Sequence, residues 1–152
     1  MKLKIHQPTI IINRIGAAVI DMFIISFIYG MIVALVTGRY RAMFNRFDVS
    51  LGDYRYDFAL IFTLMALYFI VLPLFWKGQT VGKRFTRIRI LKANGEQVEL
   101  KTLVWRFILL IVPNAVLLGI PLIVNVYIML FRQDNRGYHD LAAKTKVINA
   151  VV

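Results

Sequence analysis

Residues 10–36 read IIINRIGAAVIDMFIISFIYGMIVALV, an apolar run long enough to cross a membrane as one helix. Asp21 lies near the middle of this run, where a charged side chain costs roughly 2.5–3.5 kcal/mol on insertion scales. Arg14 lies seven residues earlier, about two helical turns away, so both side chains project from one face. We expect that face to point into protein or a wet cavity rather than into lipid.

The composition indicates an integral membrane protein. Hydrophobic residues make up 59% of the 152 residues, above the roughly 45–50% that is typical of a soluble domain. The chain carries 19 Lys and Arg against 8 Asp and Glu, a net charge of +11. Much of this excess flanks apolar runs, where we expect it to set topology and contact anionic lipid headgroups, and not nucleic acid.

The chain lacks the residues for several kinds of site. It has no cysteine and two histidines, which excludes disulfides and thiolate ligands and predicts neither a metal site nor a cofactor. No combination of nucleophile, base and orienting group can be assembled from its motifs, so we do not expect an enzyme.

Two further apolar runs follow the first. Residues 58–76 form a second predicted span without a charge. Residues 103–131 form a third run, and it is interrupted by Pro113, Gly119 and Pro121. This third segment is either a single kinked span or a re-entrant hairpin whose backbone is covered by protein or water. The sequence therefore predicts an all-α integral membrane protein with two transmembrane helices and a third, Pro-interrupted membrane segment.

The loop at residues 77–101 is strongly basic, which favours the cytoplasmic side. Within it, residues 86–91 alternate in polarity like a strand, and residues 93–96 contain an Asn-Gly turn. Residues 97–100 could then pair back. We therefore predict a short cytoplasmic β-hairpin in this loop.

The tail, residues 132–152, can be placed by counting charges. The N-terminus and the 77–101 loop hold ten basic residues. If the third run crosses once, the tail lies outside and the split is ten against eight; if the run returns, it is fourteen against four. The bias of basic residues towards the cytoplasm favours the second arrangement, with the tail inside.

Four motifs in this order resemble the RDD family of small multi-pass membrane proteins. They are Arg14, Asp21, GQTVGKR at residues 78–84 and YHDLAAKT at residues 138–145. The family is named for one arginine and two aspartates, which correspond by position to Arg14, Asp21 and Asp140. The resemblance covers about residues 13–147 and departs at Ala143, where the family usually has glycine.

The resemblance implies a single RDD-like membrane domain over residues 1–152, in a bacterial-type inner membrane. A transport role, including cation/proton exchange, has been suggested for members of this family. One hypothesis is that a buried Asp21 handles protons or small cations. Because three helices enclose too little interior for a conduit, this would require a homo-oligomer or a larger complex. The alternative is a non-transporting accessory or assembly subunit that docks through residues 16–18, Gly-Ala-Ala.

Asp21 is the first candidate site residue, either as an ion-binding group or as a partner that locks helices together. Its candidate polar partners are Arg14, Asn114, Asn125 and Arg106. A second group has a predicted structural role at the cytoplasmic side: Gly78, Gln79, Thr80, Gly82, Lys83, Arg84, His139 and Asp140.

The glycines of the 78–84 motif lack the spacing of a phosphate-binding loop and are predicted to shape a turn instead. Lys83 and Arg84 would then meet lipid phosphates. Asp140 is predicted either to cap a short helix at residues 141–144 or to pair with Lys83 or Arg84.

Overall fold

The computed structural model describes residues 8–43 and 49–150. Three of the basic residues in the charge count, Lys2, Lys4 and Arg46, lie outside the described residues. Two helices are long and apolar enough to cross a membrane, at Ile10–Thr37 and Tyr54–Phe75. The predicted spans at residues 10–36 and 58–76 therefore correspond to helices in the structure.

Helix α1 spans Pro8–Thr37 without interruption. Pro8 opens the helix, where its missing N–H removes no hydrogen bond. The Thr37 hydroxyl donates to the carbonyl oxygen of Val33 at 2.7 Å, and Gly38 ends the helix with a φ of +70°. A 3₁₀ turn at Tyr40–Met43 follows.

The second long helix changes its pitch once. Helix α2 (Tyr54–Ala66) continues through a π turn at Leu67–Val71 into helix α3 (Leu72–Phe75). Asp53 caps its start by accepting a hydrogen bond from the N–H of Arg55 at 2.9 Å. The wide turn lies just before Pro73, whose ring would clash with the carbonyl four residues earlier in a regular α-helix.

The 77–101 loop contains helix α4 (Val81–Phe85) and strand β1 (Ile88–Lys92). The predicted turn is present: the N–H of Lys92 donates to the carbonyl oxygen of Glu96 at 2.9 Å. The predicted second strand at residues 97–100 is confirmed at one bridging pair only. Strand β1 pairs antiparallel with strand β2 (Thr145–Asn149) in the tail, while the local return is reduced to an isolated bridge, Leu91↔Gln97.

The local hairpin fails because the chain after the turn is needed elsewhere. Helix α5 (Leu100–Val116) begins immediately after its N-cap, Glu99, which leaves few residues for a second strand. The tail supplies an apolar strand instead, and Val147 is buried beside Ile88 and Ile90.

The third run forms two helices rather than one kinked helix. Helix α5 contains Pro113, and helix α6 spans Ile120–Phe131. Leu118 and Gly119 join them with φ values of +50° and +85°. At ~1.5 Å per residue, the 12 residues of α6 reach about 18 Å, well short of a bilayer's ~30 Å core.

The run turns back, as in the returning alternative. Strand β1 precedes α5, and β2 follows α6 after the short helix α7 (Tyr138–Ala142). Because β1 and β2 pair, the two flanks of the run meet at one end of the molecule. The same end holds the first turns of α1, since Ile10 and Ala17 pack in the core cluster with both strands.

A cluster of buried apolar side chains therefore lies at the amino-terminal end of α1. The remaining faces of α1 and α2 expose large apolar side chains. These include Val19, Phe23, Leu35, Phe58 and Phe62. Such faces suit a hydrocarbon environment better than water.

Cross-linking distinguishes the two strand pairings, because the chain has no native cysteine. Arg89 lies opposite Ile148 in the observed sheet, within the distance that a disulfide requires. The local hairpin register would instead place Arg89 opposite Glu99. We expect R89C/I148C to form an intramolecular disulfide on mild oxidation, read as a gel shift reversed by reductant. R89C/E99C should stay largely reduced; the opposite pattern would contradict the tail pairing.

Candidate functional site

Asp21 lies in a buried site between α1, the π turn and α4. Its side chain accepts three hydrogen bonds: from the Tyr68 hydroxyl at 2.6 Å, the Thr80 hydroxyl at 2.6 Å and the N–H of Gly82 at 2.7 Å. The residue is 1% exposed. The carboxyl group of Asp21 thus joins both long helices to the 77–101 loop.

Helix α4 supplies two of these donors because its first turn faces α1. Thr80 is its N-cap and accepts a hydrogen bond from the N–H of Lys83 at 3.3 Å. The N–H of Gly82 has no acceptor within such a short helix, and Asp21 satisfies it. Gly82 also permits close approach, since a Cβ there would lie 2.2 Å from the carbonyl oxygen of Ala17.

The rest of the 78–84 motif holds β1 in place. Gly78 has a φ of +87°, and a Cβ there would lie 2.1 Å from the carbonyl oxygen of Ile90. The side-chain amide of Gln79 donates to the carbonyl oxygen of Ile88 at 3.0 Å. The motif is a turn packed along a strand, and both of its glycines are required by close backbone contacts.

Asp140 forms the second buried acidic site, at 0% exposure. Arg14 donates to one of its carboxylate oxygens and Arg106 to the other. The N–H of Gly137 donates to the same oxygen as Arg14, at 3.1 Å. Burial opposes ionisation, but the guanidinium groups of Arg106 and Arg14 hold the pKa of Asp140 well below its usual range.

His139 extends this site towards α6. Its Nε2 lies 3.1 Å from the guanidinium of Arg106, and its Nδ1 lies 3.1 Å from the Asn125 side-chain oxygen. Since arginine only donates, Nε2 accepts and Nδ1–H donates in this arrangement. Burial and the charge of Arg106 lower the pKa of His139 to about 3, which keeps the ring neutral near pH 7.

Further contacts tie the Asp140 site to the rest of the tail. Arg14 also donates to the carbonyl oxygen of Asn135 at 2.5 Å, and Arg106 donates to the hydroxyl of Thr145 at 2.6 Å.

The amide nitrogen of Asn114 donates to the carbonyl oxygen of Leu110 at 2.6 Å and to the Tyr138 hydroxyl at 3.2 Å. Helices α1, α5, α6 and α7 and strand β2 thereby meet at one place.

The polar residues predicted to contact Asp21 lie instead around Asp140 and His139. Arg14, Arg106 and Asn125 were candidate partners of Asp21, and the structure places them around Asp140 and His139. Asn114 contacts Tyr138 instead of Asp21. These contacts arise because the returning third run carries Arg106 and Asn125 to the tail rather than to the middle of α1.

The predicted pairing of Asp140 with Lys83 or Arg84 was wrong. Two arginines already donate to the carboxylate of Asp140. The predicted capping of a helix at residues 141–144 was also wrong in its bounds: α7 begins three residues earlier, and Asp140 lies inside it, where it accepts from the N–H of the N-cap Gly137. Arg84 lies over the ring of Trp76 at 5.2 Å, and the ammonium of Lys83 lies 5.8 Å from the ring centre of Phe69.

Tyr68 is the functional-site residue that the sequence reasoning missed. It lies in a span without charges, and a hydroxyl there requires a hydrogen-bond partner when buried. That requirement was a usable signal for a polar contact with another helix.

A cavity of about 670 Å³ lies between α1, α5 and α6. Its charged lining consists of Arg14, Asp21, Lys83 and Arg106. Apolar side chains continue the lining along the same helices: Phe23, Leu110, Leu122, Val126 and Met129. Across the part of the chain that the structure describes, no group of three or more His, Asp or Glu side chains could hold a metal ion.

The charges around this cavity do not cancel. Arg14, Arg106 and Lys83 are basic, against the carboxyl groups of Asp21 and Asp140. Burial and the charge of Arg106 lower the pKa of Lys83 to about 8, so the ammonium form predominates at pH 7. The polar part of the cavity therefore carries an excess positive charge.

The tight contact at Gly82 predicts a sharp difference between two glycines. Gly82→Ala places a methyl group 2.2 Å from the Ala17 carbonyl oxygen and 2.8 Å from an Asp21 carboxylate oxygen. We expect a loss of about 3 kcal/mol or more in unfolding free energy, measured in detergent. Gly16→Ala is the control, because its new methyl would meet Thr86 at an ordinary 3.7 Å. Equal tolerance of both changes would contradict the packing of α4 on α1.

The low pKa of His139 predicts that the protein loses folding stability at pH values above those at which carboxyl groups take up protons. In the unfolded chain the His139 ring takes up a proton near pH 6.5, whereas in the folded chain it does so only at about pH 3. The free energy of unfolding therefore falls as the pH drops from 6.5 to 3. Between pH 7 and pH 5 we expect a loss of about 2 kcal/mol, seen as a lower midpoint of thermal unfolding. His139→Gln should flatten the dependence. A wild-type midpoint independent of pH would refute a neutral buried ring.

Comparison with known proteins agrees with these motifs. The RDD family model matches residues 9–144, a range that includes Arg14, Asp21 and Asp140. The uncharacterized protein YckC of Bacillus subtilis (strain 168) is 34% identical over 148 residues, which cover 97% of this chain and 89% of that protein. No solved structure matches. With most of its length matched by the family and by a relative of similar size, the chain belongs to the RDD family.

Proposed function

We propose that this protein is a multi-pass inner-membrane protein that binds a ligand in the cavity between α1, α5 and α6. The cavity is the observation that supports this function. Its volume of about 670 Å³ falls within the roughly 300–1,000 Å³ of small-molecule sites. Its mixed lining of apolar and convergent charged side chains is also the usual character of such sites. In this proposal, the Asp21 and Asp140 sites hold the walls of the cavity together.

The proposed orientation places the amino-terminal end of α1, the 77–101 loop and the tail in the cytoplasm. The pairing of β1 with β2 supports a common side for loop and tail. Fourteen basic residues of the sequence then face the cytoplasm and four the other side, in the direction of the positive-inside bias.

Transfer of protons or small cations through Asp21 receives less support. Three donors within the chain already occupy its carboxyl group. The excess positive charge of the cavity would also repel a cation. We therefore assign Asp21 a structural role in this proposal and place the ligand against the cavity wall.

An accessory subunit also receives less support from the residues first considered for docking. Ala17 is buried within the chain, where α4 approaches it at Gly82. That contact removes part of the 16–18 surface from any external partner. A homo-oligomer or larger complex remains compatible with the exposed apolar faces of α1 and α2, and the ligand proposal does not require one.

Filling the cavity tests the proposal. Ala18 lines the cavity and Ala59 is exposed on α2 outside it, so Ala18→Phe and Ala59→Phe add the same side chain at matched helical sites. Native mass spectrometry of the protein released from membranes should show a retained small molecule in wild type and Ala59→Phe, and several-fold less in Ala18→Phe. Equal retention in all three, or none in the wild type, would overturn the proposal.

A further inference from the structure

We propose that the occupant of the cavity is an anionic membrane lipid, with one acyl chain against the apolar wall and its phosphate at Lys83. This inference rests on the proposed ligand-binding function and names the class of ligand. It assigns Lys83 a role as the counter-charge of the headgroup, distinct from the basic residues at the outer surface of the protein.

Among the basic side chains that line the cavity, Lys83 is the one that is not bound to a carboxylate within the described residues. Arg14 and Arg106 both donate to the Asp140 carboxylate. Within residues 8–43 and 49–150, by contrast, the Lys83 ammonium forms no hydrogen bond or ion pair, and its described contact is the ring of Phe69 at 5.8 Å. An ammonium in such a setting is suited to bind a phosphate oxygen from the cavity side.

The neighbouring carboxyl groups offset the basic charges of the cavity only in part, since Arg14, Arg106 and Lys83 face two carboxyl groups. Asp21 attracts the Lys83 ammonium through space, but within the described residues its oxygens accept hydrogen bonds from other groups and form no ion pair with Lys83. The carboxylate of Asp140 is shared between two arginines. An anion at Lys83 would therefore neutralise the excess positive charge of the cavity without displacing an existing contact.

The shape of the cavity indicates a ligand from the bilayer rather than from water. Several apolar side chains that line it are more than a third exposed, so the cavity opens at the surface. These side chains are Ile15, Val19, Met22, Phe23 and Leu122. The cavity is thus continuous with surfaces that suit hydrocarbon, and a lipid can place its chain there while its headgroup stays near α4.

Lys83 on α4 lies near the membrane interface, where the phosphate of a bound lipid would be. Helix α4 follows immediately after the end of the second long helix, where Trp76 marks an interface position. Arg84 stacks on Trp76, whereas Lys83, one residue earlier, faces the cavity. Adjacent basic residues therefore serve different surfaces.

The test compares two lipids with identical acyl chains, phosphatidylglycerol and phosphatidylcholine, added at equal amounts to delipidated full-length protein. Native mass spectrometry then counts the lipids retained. We expect wild type to retain phosphatidylglycerol preferentially, and Lys83→Gln to lose about tenfold of that preference. Lys83→Arg should keep it, and Lys101→Gln should behave as wild type because Lys101 is an exposed lysine outside the cavity.

The outcomes separate the two proposals. Equal retention of both lipids in wild type, with loss in Ala18→Phe, would support a ligand in the cavity and overturn the anionic headgroup. A preference that survives Lys83→Gln would overturn the role of Lys83. If inorganic phosphate displaces the lipid at similar concentrations, the acyl chain does not contribute to binding and that part of the proposal is overturned. If oleate displaces phosphatidylglycerol at lower concentrations, the ligand is a fatty acid and the phospholipid is overturned. No retained lipid in any variant would overturn the lipid proposal, whereas a different small molecule retained by membrane-released wild type and lost in Ala18→Phe would still support a ligand in the cavity.

Discussion

The whole arrangement depends on giving two buried carboxyl groups their hydrogen-bond donors. An unpaired carboxylate inside a helix of this hydropathy would cost several kcal/mol, and the backbone N–H groups in the middle of helix α1 are already bonded within the helix. Asp21 therefore requires groups from other segments, and it finds them in Tyr68, Thr80 and Gly82. This requirement brings α4 onto α1 and holds Tyr68, in the π turn of the second long helix, against the same carboxyl group.

Asp140 imposes the complementary constraint from the other end of the chain. Its two arginine partners come from α1 and α5, so one carboxylate joins three segments that are distant in sequence. Loss of one partner of such a buried pair typically costs about 3–5 kcal/mol, because the remaining charge stays buried without compensation. The two acidic sites together hold a small set of short elements around a cavity that apolar packing alone would not define.

The sequence predicted the elements whose signals are local. The long apolar runs, the Asn-Gly turn and the strand before it are visible as periodicity and turn chemistry, and the structure has them. The sequence did not predict which segments far apart in the chain contact one another. The sequence paired strand β1 with the segment just after the turn, but α5 begins there and the tail supplies the strand instead. Likewise, the sequence marked Asp21 and Asp140 as unusual, but which donors reach each depends on where the third run turns back at Leu118 and Gly119.

The separation of 126 residues between Arg14 and Asp140 has a consequence for biogenesis. Chains emerge from the ribosome amino terminus first, at ~5–20 residues per second. Arg14 must therefore enter the membrane region several seconds before its carboxylate partner is synthesised. During that interval its charge can be met by lipid phosphates or water, and the native contact must later displace them. Closure of the amino-terminal end is thus a late event, and a nascent chain stalled before residue 140 would keep that end open and basic.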